Sequence, residues 1–110
     1  MLEVYGIRQC DTCRKTLRHL EAESVPYRFQ DIRDEPLDAA TVSGWLQAVG
    51  AELLINRRST SWRQLDDVQR QRAESDAPAL LLENPTLIKR PVVVQGKTVT
   101  VGFKPEQWAL

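Results

Sequence analysis

The sequence has 110 residues, of which 42% are hydrophobic, and this size suits one compact domain with its own core. Its 15 basic residues balance its 15 acidic residues, which argues against a general affinity for nucleic acid or for an anionic membrane. No apolar segment is long enough to span a bilayer, and the polar start MLEVYGIRQC is not typical of a signal peptide. We therefore expect a soluble, cytoplasmic protein.

The first part of the chain predicts a strand, a helix and a second strand. Residues 2–7 alternate loosely between apolar and polar side chains, which favours a strand. A helix is predicted from Asp11, which could cap it, because apolar residues then recur at helical spacing, at Cys13, Leu17 and Leu20. The segment YRFQDI, residues 27–32, predicts the second strand. This order is typical of a βαβ unit with parallel strands.

The second part of the chain predicts helices followed by a hairpin. Asp38 is a good N-cap and Gly50 a plausible C-cap for one helix, and residues 51–84 favour several short helices. Residues 92–94 and 98–101 are β-branched segments separated by Gln-Gly-Lys, which favours a hairpin. A last helical turn begins at Lys104-Pro105-Glu106 and ends by Leu110. The predicted fold class is therefore α/β, with a mixed sheet.

The only two cysteines, Cys10 and Cys13, form a C-x-x-C pair between the predicted first strand and the first helix. The unpaired amides at a helix start favour a thiolate there. Lowering a thiol pKa from about 8.5 by about two units requires ~2.7 kcal/mol, whereas a helix terminus supplies at most ~2 kcal/mol. A second positive group is therefore needed. Arg8 and Arg14 are the neighbouring candidates, while Asp11 acts in the opposite direction.

Cys10, in a polar loop, is predicted to be the nucleophile, whereas two roles stay open for Cys13. It could pack in the core with Leu17 and Leu20, or it could be the thiol that resolves a mixed disulfide. A closed zinc site normally has four ligands, and the chain offers two thiols and His19 on the same helix, so we expect no bound metal. We expect His19 to be a solvated side chain.

Arg90 and Pro91 lead directly into the predicted hairpin. Proline is tolerated at the first position of a strand, and a surface arginine is the simplest interpretation of Arg90. In a redox domain with this order of elements, however, the loop faces the helix start that carries the cysteines. Arg90 would then present its guanidinium to a thiolate or to an anionic substrate.

Five segments, in chain order, resemble the arsenate-reductase-like branch of the thioredoxin fold: YGIRQCDTCRKTL, RFQDIRDEPLD, LINRRSTSWRQL, NPTLIKRPVVV and VGFKPEQW. This branch includes glutaredoxin-coupled arsenate reductases, Spx transcriptional regulators and small YffB-like proteins, and CDTCRK and LIKRPVV fit the last group best. The resemblance implies a single thioredoxin-like domain over residues 1–110, of glutaredoxin type, with a mixed four-stranded sheet and a helical insertion at about 36–84. It also implies that Cys10 is the reactive thiol and that Pro91 is cis.

The resemblance further implies a glutathione-dependent thiol–disulfide reductase. Glutathione would be a co-substrate rather than a bound cofactor, and the substrate would be a disulfide or an oxyanion. Glutaredoxin would be a candidate partner, and the protein would be a monomer. Arg14 matches the arginine that follows the active-site loop of the reductases. The implied catalytic residues are Cys10, Cys13, Arg14 and Arg90. The implied substrate-binding residues are Arg8, Pro91 and, for the carboxylates of glutathione, Arg57 and Arg58.

Two relatives within this branch suggest alternative functions. Spx proteins carry C-x-x-C as a switch and bind the α subunit of RNA polymerase, but they have a longer C-terminal extension, and this chain is not net basic. A transcriptional regulator is therefore the second hypothesis. Arsenate reduction is the third, because Asn56 and Lys104 stand where the reductases bind the oxyanion with arginines, and Cys13 stands where the single-cysteine enzymes have serine.

Overall fold

The computed structural model describes residues 1–108 and divides into two compact units. One unit comprises Met1–Glu35 and Arg90–Leu110, and the other comprises Pro36–Lys89. The helices of the second unit lie between Ala39 and Glu83, within the predicted helical region. The assignment of the whole chain to a single domain with an insertion stays a prediction.

A mixed four-stranded sheet forms the first unit, with strand order β2-β1-β3-β4. The strand β1 pairs in parallel with β2, as the predicted βαβ unit requires, and the remaining pairs are antiparallel. The predicted mixed sheet is confirmed. The elements are β1 (Leu2–Gly6), α1 (Asp11–Ala22), β2 (Tyr27–Asp31), β3 (Val92–Gln95) and β4 (Thr98–Val101).

Alternate side chains of β1 face the core that covers this sheet. Leu2 and Val4 are buried, and they join a core cluster with Leu20 of α1, Val93 of β3 and Trp108. The predicted hairpin is also present, and it turns through Gly96 with a φ of +61°, a conformation that glycine adopts without a steric cost. The apolar face of α1 and the β-branched hairpin therefore build one core from segments distant in sequence.

Short helices make up the second unit, as the sequence predicts. They are α2 (Ala39–Val49), α3 (Ala51–Leu54), α4 (Thr60–Arg63), α5 (Asp67–Ser75) and α6 (Ala77–Glu83). The predicted capping residues of α2 are confirmed: the Asp38 carboxylate accepts from Thr41 N at 2.8 Å, and Gly50 is the C-cap with a φ of +84°. Short 3-10 turns follow at Pro85–Leu87 and Pro105–Gln107.

Some local predictions require correction. Asp11 does not cap α1, because Cys10 occupies the N-cap position and Asp11 is the first helical residue. His19 is not simply solvated: it is half-buried, and its ring packs edge-on against Phe103 with centroids 5.6 Å apart. The predicted end of the last turn, at Leu110, lies outside the described residues. Within residues 1–108, no helix is both long and apolar enough to cross a membrane.

Candidate active site

Cys10 lies at the junction between the sheet and the first helix. The strand β1 ends at Gly6, and the loop of residues 7–10 turns back so that Cys10 N donates to the Ile7 carbonyl at 3.0 Å. The Cys10 carbonyl then accepts from Arg14 N at 3.0 Å and so opens α1. These two hydrogen bonds position Cys10 in the fold. Because Cys10 is partly exposed, its sulfur remains within reach of a substrate.

The surroundings of Cys10 favour its thiolate. Burial by itself raises the pKa of the Cys10 thiol, but hydrogen bonding from Cys13 N, Arg90, the Cys13 thiol and Thr12 N outweighs it and holds the pKa below its ordinary value. These amides face the sulfur without forming a capping hydrogen bond of standard geometry. The helix start and one guanidinium therefore act together, as the sequence argument required.

The pKa of Cys13 is shifted in the opposite direction to that of Cys10. Its side chain is fully buried, and burial, reinforced by the nearby Cys10, raises the pKa of Cys13 to about 12. Both cysteines are present as free thiols. At neutral pH Cys13 is thus a protonated thiol that donates toward Cys10, which favours the anionic form of Cys10 over that of Cys13.

Gly6 makes room for the buried thiol, although residue patterns alone did not single it out. A Cβ atom on Gly6 would overlap the Cys13 sulfur, and it would also lie 3.5 Å from Cys13 Cβ and 3.6 Å from the Phe29 ring. Only a residue without a side chain allows β1 to pass this close to Cys13. A glycine near the end of the first strand, a few residues before the cysteines, is the one signal in the sequence that points to this contact.

Arg90 provides the second positive group. It lies two residues before the start of β3, its Nε atom is buried, and the Arg90–Pro91 peptide bond is cis, as the resemblance implies. The guanidinium hydrogen-bonds to the Cys10 sulfur and lowers the pKa of that thiol. The structure thereby brings Arg90 to Cys10 and Cys13, which precede it by about eighty positions in the sequence.

Arg8 and Arg14, the local candidates for this positive group, have other contacts. The Arg8 guanidinium forms an ion pair with Asp34 and lies 3.6 Å from Asp31. Arg14 Nε donates to the Arg8 carbonyl at 3.1 Å, and its guanidinium lies 3.9 Å from Asp11. Neither guanidinium is among the groups that lower the pKa of the Cys10 thiol, whereas Arg90 is. Substrate binding by Arg8 and catalysis by Arg14 stay predictions.

Asp31 is a second residue that the sequence did not single out. It ends β2 with only 3% of its surface exposed, and its carboxylate accepts from Arg8 N and Arg33 N, both at 2.9 Å. Burial by itself raises the pKa of Asp31, but these two amides and the charges of Arg8 and Arg33 outweigh it and hold the pKa below its usual range. A buried carboxylate is therefore ionised beside the loop that carries Cys10.

Arg57 and Arg58 belong to the second unit. They line a groove of about 540 Å³ with Glu52, Asn56 and Lys89, among other residues. The Arg57 guanidinium lies over the Trp62 ring at 5.3 Å, which orients it by a cation–π contact. The groove is positive on balance and could accept a carboxylate. The assignment of these arginines to the carboxylates of glutathione stays a prediction.

The part of the chain that the structure describes holds no group of three His, Cys, Asp or Glu side chains arranged to bind a metal ion. His19 packs with Phe103 and Trp108 instead of facing the cysteines. The arrangement around Cys10 is thus suited to thiol chemistry: a partly exposed thiol with a lowered pKa, a protonated thiol one helical turn away and a guanidinium.

Comparison with known proteins agrees with this description. The model of the ArsC family matches residues 5–110. An uncharacterized protein of Haemophilus influenzae is 37% identical over 109 residues, covering 98% of this chain and 96% of the relative. A solved structure of a YFFB protein superimposes with a TM-score of 0.85 at 34% identity, covering 96% of this chain and 94% of the other.

A thioredoxin-like fold with a cysteine at the start of its first helix therefore defines the general class. The chain belongs to the ArsC family. Regulators also occur among its relatives: the global transcriptional regulator Spx of Enterococcus faecalis is 29% identical over 109 residues, covering 97% of this chain and 83% of the relative.

Proposed function

We propose that this protein is a thiol–disulfide reductase that uses glutathione and in which Cys10 is the nucleophile. The observation that carries the proposal is the environment of Cys10: one guanidinium and the amides of the helix start surround a partly exposed sulfur and lower the pKa of its thiol. A thiolate, rather than a thiol, attacks disulfides, so this environment raises the reactive fraction at neutral pH. Membership of the ArsC family supports a thiol-based oxidoreductase.

The reaction proceeds by three thiol–disulfide exchanges. The Cys10 thiolate attacks one sulfur of the substrate disulfide, the other sulfur leaves as a thiolate, and a mixed disulfide remains on Cys10. A glutathione thiolate then attacks Cys10 and releases the second substrate thiol, which leaves glutathione on Cys10. A second glutathione thiolate attacks that adduct, restores the Cys10 thiolate and leaves as glutathione disulfide. One substrate disulfide is reduced and two glutathione molecules are oxidised.

Arg90 supports the first and the last of these exchanges. Its guanidinium lies beside the sulfur that must be an anion before attack and that becomes the leaving group in the last step. A lower thiol pKa improves a leaving thiolate, so the same contact assists the release of Cys10. The proposed reaction consumes reduced glutathione, which keeps thiols reduced in the cytosol. We therefore propose that the protein acts in the cytoplasm.

Turnover of a disulfide with glutathione tests this proposal directly. The purified protein is mixed with glutathione, a low-molecular-weight disulfide and an NADPH-coupled assay for glutathione disulfide, with and without arsenate. Disulfide-dependent formation of glutathione disulfide is the expected result. The absence of turnover, together with no glutathione adduct on Cys10, would reject the proposal. Turnover only in the presence of arsenate would instead identify an arsenate reductase.

The Cys13→Ser variant is expected to accumulate one glutathionyl group on Cys10. Cys13 is the protein thiol next to Cys10, so its removal eliminates the intramolecular route that resolves an adduct. Intact-protein mass spectrometry after treatment with glutathione disulfide measures the adduct, and fragmentation locates it. If the variant carries no adduct, either glutathione is the wrong partner or Cys10 is not reactive.

The Arg90→Lys variant is expected to bind anionic substrates more weakly and to react more slowly at neutral pH. Lysine keeps the positive charge but loses the planar fork of donors that reaches Cys10. We expect the pKa of Cys10 to rise by up to about one unit, which lowers the thiolate fraction up to tenfold below that pKa. The pH profile of Cys10 alkylation and the KM for glutathione measure the two effects. Unchanged values for both would assign Arg90 a purely structural role.

A redox-sensing regulator is the second candidate, because the Enterococcus faecalis Spx regulator aligns over 97% of this chain. Such a protein would bind the α subunit of RNA polymerase and would not turn over glutathione. Binding of purified α subunit, measured with reduced and with oxidised protein, separates the two classes. Redox-dependent binding without turnover would favour the regulator.

A further inference from the structure

The β1–α1 loop, residues 7–10, is anchored from two sides at Arg8. Its backbone N–H donates to Asp31 Oδ2 at 2.9 Å, and its carbonyl accepts from Arg14 Nε at 3.1 Å. The next residue, Gln9, accepts from the Arg33 guanidinium at 3.3 Å. Two consecutive residues of this loop are therefore attached to the end of β2 and to the segment that follows it, and the loop ends at Cys10.

Asp31 is the centre of this arrangement. Its two carboxylate oxygens accept different amides, Oδ2 from Arg8 N and Oδ1 from Arg33 N, so both loops at this end of the sheet are bound to one side chain. Asp31 is 3% exposed, whereas Asp34, the other acidic partner of Arg8, has a side chain 64% exposed. A buried charged acceptor holds a backbone donor far more firmly than a solvated one does.

We propose that Asp31 is a positioning residue that, through the backbone of Arg8, holds the β1–α1 loop in the conformation in which Cys10 faces Arg90 and the amides of Thr12 and Cys13. This inference rests on the proposed role of Cys10 as nucleophile and adds a residue that does not touch the sulfur. The groups that act on the Cys10 sulfur come from α1 and from the segment before β3. The loop must therefore present the sulfur to two elements at once.

The direction of the change in Cys10 reactivity distinguishes this role from a simple charge effect. Asp31→Asn removes a negative charge, which by electrostatics alone would lower the pKa of a nearby thiol. A loosened loop would have the opposite effect, because the sulfur would lose donors that stabilise its anion. Asparagine also places an amide NH₂ where one carboxylate oxygen accepted an N–H, so one of the two anchoring hydrogen bonds must break.

The test is the pH profile of Cys10 alkylation by iodoacetamide, with the label located by peptide fragmentation. For Asp31→Asn we expect the midpoint to rise by about half a unit to one unit, a roughly threefold to tenfold loss of thiolate at acidic pH. Asp34→Asn is the matched control, because it removes the same charge from Arg8 and leaves the backbone anchor intact. Its midpoint should not move. A midpoint that falls or stays unchanged in Asp31→Asn would overturn the proposal.

If circular dichroism shows that Asp31→Asn does not fold, the Arg14→Lys variant tests whether the loop must be anchored at Arg8. Arg14 lies on the exposed face of α1, and lysine keeps its charge but lacks the Nε donor to the Arg8 carbonyl. A raised midpoint in this variant supports the anchored loop, and an unchanged midpoint rejects it. Alkylation uses no glutathione, so this result is independent of whether the glutathione turnover assay succeeds.

Discussion

The Cys10→Ser variant should lose thiol-exchange activity down to the uncatalysed rate. A serine hydroxyl does not ionise near neutral pH, and it cannot form the mixed disulfide that the first exchange must produce. The neighbouring thiol cannot replace it, because Cys13 is fully buried and burial raises its pKa to about 12. Turnover with glutathione and a small disulfide, measured at equal protein concentration, gives the loss directly.

Two controls make this prediction specific. Cys10 is partly exposed and makes no capping hydrogen bond through its sulfur, so serine should leave α1 and the thermal unfolding midpoint almost unchanged. Cys13→Ser, which removes the other thiol of the pair, should still react with a disulfide at Cys10. A Cys10→Ser protein that is folded and still turns over glutathione would remove the central claim about this site.

Gly6→Ala should destabilise the protein more than an alanine at an ordinary glycine position. The new Cβ would overlap the sulfur of Cys13, and the neighbouring Phe29 ring, 3.6 Å away, leaves little space for the strand to shift. Overpacking of this kind typically costs ~1–3 kcal/mol, although alanine is otherwise favoured over glycine inside a strand. Thermal or denaturant unfolding measures the loss of unfolding free energy.

Gly44→Ala is the matched control. Gly44 lies on the exposed face of α2, and a Cβ there meets no atom within 4 Å. Alanine within a helix is favoured over glycine by about 0.5–1 kcal/mol, so this variant should be more stable than the parent protein. Both substitutions replace glycine with alanine. Opposite changes in the unfolding free energy would therefore attribute the loss at Gly6 to its contact with Cys13.

A double-mutant cycle identifies the atom responsible. In a Cys13→Ala background the sulfur is absent, and the remaining contacts of the new Cβ, at 3.5 and 3.6 Å, are ordinary packing distances. The cost of Gly6→Ala should therefore fall, or change sign, in that background. An equal cost in both backgrounds would show that the Cys13 sulfur is not what requires glycine at this position.

Much of the fold could be predicted because it depends on local patterns. The helical spacing of Cys13, Leu17 and Leu20 predicted α1, and the β-branched segments around Gly96 predicted the hairpin, since periodicity and turn chemistry act over a few residues. The caps Asp38 and Gly50 were correct for the same reason. Asp11 was wrong as a cap because a shift of one residue at a helix start cannot be decided from residue preferences alone.

The sequence alone predicted that Cys10 is the nucleophile, because a C-x-x-C pair between a strand and a helix start is typical of thiol chemistry. It left Cys13 with two open roles, and it offered Arg8 and Arg14, which are near in sequence, and the distant Arg90 as sources of the needed positive charge. The tertiary structure places Arg90 on the sulfur and anchors Arg8 to Asp31. It also showed that Gly6 must be small to admit the buried Cys13 thiol. Burial and contacts between distant segments determine the protonation of a thiol, and these exist only once the strands have paired.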